Sequence, residues 1–122
     1  MANPFIHIEL QSNDLAKARA FYAKLFDWKL EDAEMAGFGS YTMIQVGAGT
    51  GGGMMNNPAK GEPSHWLPYV DVADIVSSTR KAKELGAKVA LEVTPVGEMG
   101  RMSVIIDPSG ATLGLWQTTK KP

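Results

Sequence analysis

The chain opens with an alternating pattern of side chains that predicts a β-strand over residues 4–11. Successive residues of a strand point to opposite faces, so this segment should present one mixed face and one aliphatic face. The mixed face holds Phe5, His7 and Glu9, and the aliphatic face holds Ile6, Ile8 and Leu10. We expect the aliphatic face to pack into the core.

Two helices are predicted from apolar residues at helical spacing, each beginning after an aspartate that can serve as N-cap. Asp14 precedes the first helix, which should end near Phe26, and Asp74 precedes the second, with Gly86 as a suitable C-terminal residue. The inward positions of the first helix recur in the second at an offset of 60 residues, and they are Leu15, Ala18, Tyr22 and Leu25 against Ile75, Ser78, Ala82 and Leu85.

Further strands are predicted around both helices, so that the order strand, helix, three strands occurs twice. The predicted segments are 28–33, 40–46, 50–56, 65–72, 87–93, 101–106 and 111–117, with a connection at 35–39. Two such units cannot each bury a core alone. We therefore predict one α+β domain over 1–122, made of two tandem βαβββ modules at 1–57 and 64–118 with a linker at 58–63.

The last two strands should form an antiparallel hairpin around a type I turn. Asp107 at the first position, Pro108 at the second and Gly110 at the fourth are the residues that such a turn favours. Gly114 then stands in the middle of the closing strand, where a glycine packs nothing. A bend, a bulge or the close approach of another group at that face is expected.

Composition limits the classes of function that fit. The chain has 122 residues, a formal net charge of −1 and no cysteine, and its basic residues are scattered. We expect no nucleic-acid partner and no membrane span, and we expect a cytoplasmic protein. A metal ion would need His, Asp, Glu or water as ligands.

Taken together, the doubled unit and its motifs resemble the vicinal oxygen chelate superfamily of glyoxalase I, bleomycin-resistance proteins and extradiol dioxygenases. The motifs are His7 before the helix that carries Asp14, Phe21 and Tyr22, and the turn at 107–110. The segments 65–69 and 114–117 are most similar to uncharacterised glyoxalase-like members. The resemblance implies a curved mixed sheet around a cavity, and a homodimer.

The resemblance also implies where metal ligands would stand. Metal-dependent members place a His seven residues before the capping Asp and a Glu seven residues after the Asp of the turn. These positions hold His7 and Leu67 in the first case, and Gly114 with its repeat mate Gly53 in the second. Zinc needs about three protein ligands, so we expect no metal and no other cofactor.

A displaced site remains open as the alternative. His65 lies two residues before Leu67 and Glu9 lies two residues after His7, so strand alternation keeps each on its partner's face. His7, Glu9 and His65 would then bind a divalent metal. Otherwise the two histidines are part of a cavity wall, where His7 is the candidate general base or substrate anchor.

The sequence therefore predicts a small-molecule-binding protein, with an aromatic or partly apolar ligand. The alternative is a metal-dependent lyase, isomerase or dioxygenase of the same superfamily, and association with a partner chain is a third function that the residues leave open. Gly47, Gly49 and Gly52 match a dinucleotide-binding pattern, but no helix is predicted after them. The predicted ligand-binding residues are His7, Glu9, Gly53, Met55, His65, Leu67, Gly114 and Trp116.

Overall fold

The structure, a computed structural model, describes residues 3–35, 39–59 and 61–119. Residues 36–38 of the predicted connection and Lys60 of the predicted linker lie outside the described residues. The elements are β1 (Phe5–Ser12), α1 (Leu15–Leu25), β2 (Lys29–Met35), β3 (Gly39–Gln45), β4 (Gly52–Asn56), β5 (His65–Asp71), α2 (Ile75–Glu84), β6 (Lys88–Val96), β7 (Gly100–Ile106) and β8 (Thr112–Thr118). The predicted order of elements is confirmed.

Both helices begin at the predicted aspartates. The Asp14 carboxylate accepts a hydrogen bond from the backbone N–H of Lys17 at 3.1 Å, and Asp74 accepts one from Ser77 at 3.2 Å. Each bond satisfies a backbone donor that has no partner within the helix. Among the described residues, neither helix is long and apolar enough to cross a membrane.

Residues 7–67 form one compact unit with a core cluster of its own, whereas the sequence led us to expect that neither unit would bury a core alone. Its strands follow the order β2-β3-β4-β1, in which β1 and β4 pair in parallel and the other pairs are antiparallel. Leu10, Ile44 and Met54 are buried at the centre, and side chains of α1 pack against them. This arrangement places β1 and β3 on either side of β4.

Residues 3–6 and 68–119 form the second unit with the matching topology. Its strand order is β5-β8-β7-β6, with β5 and β8 parallel and the other pairs antiparallel. Ile75, Ile105 and Leu115 form its core. The α+β class, the two βαβββ modules and the mixture of parallel and antiparallel pairs are as predicted.

The pairing register confirms the internal repeat. Glu9 pairs with Gly53 across β1 and β4, and Tyr69 pairs with Gly114 across β5 and β8. These pairs make Gly53 and Gly114 repeat mates, as predicted, and the two glycines are 61 residues apart in the sequence. The pairing of β6 with β7 has register shifts between Val89 and Leu91 and between Leu91 and Thr94, whereas the equivalent pairing of β2 with β3 has none.

Alternation alone assigned some faces wrongly. Leu10 is buried as expected, but Ile8 on the same predicted face is 37% exposed, whereas Glu9 on the mixed face is only 7% exposed. The prediction that the residues at the helix ends face inward is also wrong, since Leu25 is 54% exposed and Leu85 is 69% exposed. Both leucines lie at the last residue or the C-cap of a helix, beyond the side chains that pack on the sheet.

The predicted turn is present. The backbone N–H of Gly110 donates to the Asp107 carbonyl oxygen at 2.9 Å, and Gly110 has a positive φ of 100°. One carboxylate oxygen of Asp107 also accepts from the backbone N–H groups of Ser109 and Ala111, at 2.8 and 3.1 Å. The turn leads from β7 into β8 as expected.

Candidate functional site

A tyrosine ring covers the glycine of β4. A Cβ atom built on Gly53 would lie 2.1 Å from the ring of Tyr41, which is far inside van der Waals contact. Tyr41 belongs to β3 and Gly53 to β4, so the ring reaches across one strand pair. Any residue with a side chain at position 53 would displace this ring.

The hydroxyl of Tyr41 then joins two polar side chains of β1. It lies 2.7 Å from Nε2 of His7, and it donates a hydrogen bond to Oε1 of Glu9 at 2.9 Å. The second oxygen of Glu9 accepts from Nε2 of Gln11 at 2.8 Å. We call His7, Tyr41 and Glu9 the triad.

The triad is largely removed from water. Glu9 is 7% exposed, Tyr41 is also 7% exposed, and His7 is half-buried. Burial lowers the pKa of His7 below its ordinary value of 6.5, and the negative charge of Glu9 opposes that shift. The imidazole is therefore neutral at pH 7.

The second unit repeats the covered glycine with a different tyrosine. A Cβ atom on Gly114 would lie 2.4 Å from the ring of Tyr69, whose hydroxyl meets the Met102 sulfur at 3.7 Å. Trp116 in turn lies against Gly100, where an added Cβ would be 2.6 Å from its ring. The close approach predicted at Gly114 is the ring of Tyr69.

These contacts test whether the chain fits the metal centre that the family resemblance implies. Of the four implied positions only His7 carries a ligand atom, since Leu67 is apolar and 2% exposed. Gly53 and Gly114 are each covered by a tyrosine ring. A carboxylate at either glycine would need the space that a ring occupies, so the residues present do not fit that centre.

His65 is one of the three residues of the alternative metal site, and a hydrogen bond to Pro63 in the linker orients its ring. Its Nδ1 lies 2.9 Å from the Pro63 carbonyl oxygen, which can only accept a hydrogen bond, so Nδ1 carries the proton. Both oxygens of Glu9 already accept hydrogen bonds. Over residues 3–35, 39–59 and 61–119, no three His, Cys, Asp or Glu side chains are grouped to hold one metal ion.

Each of the remaining predicted residues has a clear place in one unit. Met55 is half-buried on β4 and pairs with Gln11. Trp116 is half-buried on β8, and its indole N–H donates to the Thr118 hydroxyl at 2.9 Å. The structure thus brings His7, Glu9 and Gly53 together around one tyrosine, and it places Gly114 and Trp116 in the other unit.

Sequence reasoning missed Tyr41 and Gln11. The available signal was Gly53 itself, because a bare glycine inside a strand calls for something that covers it. Nothing in the local sequence identifies which side chain that is, since Tyr41 lies twelve residues away and meets Gly53 through strand pairing.

An open cleft of about 570 Å³ lies elsewhere on the unit of residues 7–67. Its lining residues are Asp27, Lys29, Ile44, Gln45, Val46, Gly47, Gly49 and Gly51. No predicted ligand-binding residue belongs to it. The glycines there belong to the β3–β4 connection, and β4 follows them where a dinucleotide site would need a helix.

Similar proteins were found by sequence and by structure. "Putative glyoxylase CFP32" of Mycobacterium bovis is 32% identical over 117 residues, and "Anthracycline biosynthesis protein DauV" of a Streptomyces species is 28% identical over 123. The alignments cover 93% and 89% of this chain but only 45% of each relative. The chain therefore spans about half the length of these relatives.

Two solved structures share the fold at low sequence identity. Hypothetical protein BH1468 from Bacillus halodurans C-125 matches with a TM-score of 0.73 and 14% identity, covering 100% of this chain and 99% of that one. Methylmalonyl-CoA epimerase from Mycobacterium tuberculosis matches with a TM-score of 0.69 and 14% identity, covering 95% and 88%. The family model of the Glyoxalase/Bleomycin resistance protein/Dioxygenase superfamily matches residues 5–115, and the chain belongs to that superfamily.

Proposed function

We propose that this protein binds a small organic molecule with an aromatic or partly apolar body, and that it does so without the divalent metal of its superfamily. The observation that carries the proposal is the ring of Tyr41 against Gly53. Where the family resemblance implies a metal-binding carboxylate, this chain has the phenol of Tyr41, which is hydrogen-bonded to His7 and Glu9. The triad is then the polar anchor of the site.

The composition of this region supports an organic ligand. Binding sites for small molecules combine apolar walls with a few fixed polar groups. The triad supplies the polar groups, and the half-buried Met55 on the neighbouring strand supplies flexible apolar surface. Superfamily members that sequester drugs, as bleomycin-resistance proteins do, are the functional precedent for binding without chemistry.

The proposal is tested by a thermal-shift screen in which far-ultraviolet circular dichroism monitors the unfolding of the protein. The panel should include an anthracycline, bleomycin and simple aromatic acids, each with and without chelator. A ligand at 100 times its Kd stabilises the folded state by about 2.7 kcal/mol, which raises Tm by several degrees. We expect at least one compound to do this with chelator present.

A matched pair of variants locates the binding. Tyr41→Phe removes the hydroxyl at the centre of the triad and should reduce the stabilisation, whereas Tyr22→Phe makes the same change on α1 and should leave it intact. Stabilisation by divalent metal alone, abolished by chelator, would instead favour the metal-dependent lyase, isomerase or dioxygenase. A panel that gives no shift under any condition would count against ligand binding.

We also propose that the protein is a cytoplasmic homodimer, following the family resemblance. Several large apolar side chains of α1 and its C-terminal end are exposed, with Phe21 at 57% and Phe26 at 45%. Contiguous apolar surface of this kind is commonly covered in an assembly. Light scattering at micromolar concentrations should give twice the 13.1 kDa chain mass, and a monomer mass throughout would refute the dimer.

A further inference from the structure

β2 is an edge strand. It lies at one end of the strand order in the unit of residues 7–67, and β6 lies at one end of the order in the second unit. All seven residues of β2 pair with β3 without a break in register, and among the described residues no strand pairs with its other side. Residues of an antiparallel edge point their N–H and C=O groups alternately toward and away from the neighbouring strand, so about half of these groups on β2 have no strand partner.

The two edge strands differ in how readily they could accept another strand. β6 contains Pro95, which has no N–H to donate, and its pairing with β7 is irregular between Val89 and Thr94. Prolines and irregular register are devices that keep the edge of a sheet from pairing. β2 has neither, since its sequence is Lys-Leu-Glu-Asp-Ala-Glu-Met and its register is continuous. The edge at β2 is therefore geometrically open to strand addition.

The acidic side chains of β2 outnumber its basic ones. The acids are Glu31, Asp32 and Glu34, and the base is Lys29 at the start of the strand. Arg19 of α1 forms an ion pair with Asp32. Glu31 accepts a hydrogen bond at 3.1 Å from the uncharged amide of Gln45, and both Glu31 and Glu34 are exposed. Within the part of the chain that the structure describes, neither glutamate takes part in an ion pair.

From this edge and its charge we infer that β2 binds an extended, basic polypeptide segment by strand addition. The segment continues the hydrogen-bonded ladder of the sheet, and its side chains provide the specificity. Glu31 and Glu34 are three residues apart, so they point to opposite faces of the sheet. A segment with two Lys or Arg residues at the same spacing places one base opposite each glutamate, in either strand direction. This interaction is separate from the ligand site proposed above.

A second copy of this chain is the poorer occupant of the edge. In an antiparallel pair of two β2 strands centred on Asp32, the two Asp32 side chains would lie directly opposite each other, and like charges in that arrangement are destabilising. Each strand would also bring Glu31 and Glu34 to an edge that is already acidic. The charges of β2 thus act against self-pairing, whereas they favour a segment of opposite charge.

A synthetic peptide tests the inference on the full chain. The probe alternates threonine and valine and contains two lysines three residues apart, and fluorescence anisotropy measures its binding. Hydrogen exchange followed by NMR then shows how it binds. We expect added protection at alternate N–H groups of β2, because only those groups point away from β3. N-methylation of one alternate set of the peptide's amides should abolish binding, and N-methylation of the other set should leave it intact.

Charge reversals separate strand addition at β2 from general attraction between a basic peptide and the protein. Glu31→Lys and Glu34→Lys should each weaken binding about three- to tenfold, since each replaces an attraction with a repulsion. Glu84→Lys makes the same change of net charge at an exposed residue of α2 and should leave the affinity unchanged. A peptide with glutamates in place of the lysines should bind the double variant Glu31→Lys with Glu34→Lys better than it binds the wild type.

Three results would overturn the inference. The first is no binding of the lysine peptide at millimolar concentration. The second is an equal loss of affinity in Glu31→Lys, Glu34→Lys and Glu84→Lys, which would show attraction to net charge alone. The third is binding that protects no alternate N–H groups of β2, or that survives N-methylation of either set of amides, because a segment bound in that way does not extend the sheet.

Discussion

The ring of Tyr41 lies against Gly53 so closely that a Cβ atom at position 53 would be 2.1 Å from it. Tyr69 bears the same relation to Gly114 in the other unit, at 2.4 Å. The two tyrosines come from different strands of their units, β3 in one and β5 in the other. Both units therefore have a glycine covered by a tyrosine ring, but the tyrosine comes from a non-equivalent strand in each unit.

Because Tyr41 and Tyr69 lie on different strands of their units, their hydroxyl groups meet different partners. Glu9 and Tyr69 occupy equivalent places, since each pairs with the glycine of its unit. In the first unit Glu9 occupies the place that Tyr69 has in the second, so the ring that covers Gly53 comes from β3. The hydroxyl of that ring, on Tyr41, donates a hydrogen bond to the Glu9 carboxylate. In the second unit the hydroxyl of Tyr69 donates a hydrogen bond to the Met102 sulfur at 3.7 Å.

Gly53→Ala should destabilise the protein and disrupt the triad. The new methyl group would collide with the Tyr41 ring, and overpacking of this kind costs about 1–3 kcal/mol. Because the ring must move, its hydrogen bonds to His7 and Glu9 should lengthen or break. Urea unfolding gives the loss of stability, and the ¹⁵N shifts of His7 report the triad.

The double variant Gly53→Ala with Tyr41→Ala supplies the control. If the cost arises from the collision, the two substitutions should be strongly non-additive, because the second removes the ring that the first displaces. Additive losses of stability would show that Gly53 is required for another reason.

Features set by neighbours in the chain were predicted well. Asp14 and Asp74 were identified as N-caps, and residues 107–110 as a turn, because each depends on side chains within a few residues. The exposure of Ile8 was not predicted, since alternation shows which residues share a face without showing how fully that face is covered. The triad depends on Tyr41, which meets β1 through tertiary contacts only.

Asp107→Asn should reduce the dependence of stability on pH in the acid range. Hydrogen bonds from the Ser109 side chain and from the backbone of Ala111 and Ser109 hold the pKa of Asp107 below its usual 3.8. The unfolded chain thus binds the proton more readily, and stability falls as pH drops through 3.8 and then the lower folded pKa. Urea midpoints measured from pH 5 to pH 2 should fall less steeply in the variant.

Ser109→Ala provides a graded check on that prediction. It removes the side-chain hydrogen bond and keeps the two backbone bonds, so its acid dependence should lie between those of the wild type and Asp107→Asn. Equal slopes in all three proteins would mean that the turn carboxylate does not contribute to acid unfolding.

Tryptophan emission should reveal whether a ligand contacts Trp116. The other two tryptophans, Trp28 and Trp66, belong to an aromatic cluster around Tyr22, with ring centroids 5.7 and 5.5 Å from it. If Trp116 borders the bound molecule, Trp116→Phe should remove most of the ligand-induced change in emission and Trp28→Phe should leave it. A response that survives in Trp116→Phe and disappears in Trp28→Phe would assign the contact to the cluster.

An engineered zinc site tests whether Tyr41 has replaced a metal ligand. The wild type should purify without stoichiometric divalent metal, and chelator should leave its Tm unchanged. A variant with Tyr41→Ala, Gly53→Glu and Leu67→His should bind Zn²⁺, because it clears the ring and adds a carboxylate and an imidazole at positions where the family resemblance implies ligands. With His7 these make three protein ligands, as catalytic zinc sites use.

The variant should be less stable than the wild type before metal is added, because replacing buried side chains costs about 2–5 kcal/mol in comparable cases. Zinc should restore part of this loss, since it binds only the folded state. The same variant with His7→Ala should bind zinc much more weakly. Elemental analysis and Tm with and without zinc give the result. If the variant folds but does not bind zinc, Gly53 and Leu67 are not the ligand positions. If the wild type contains a tightly bound metal ion, His7, Glu9 and His65 are favoured as its site.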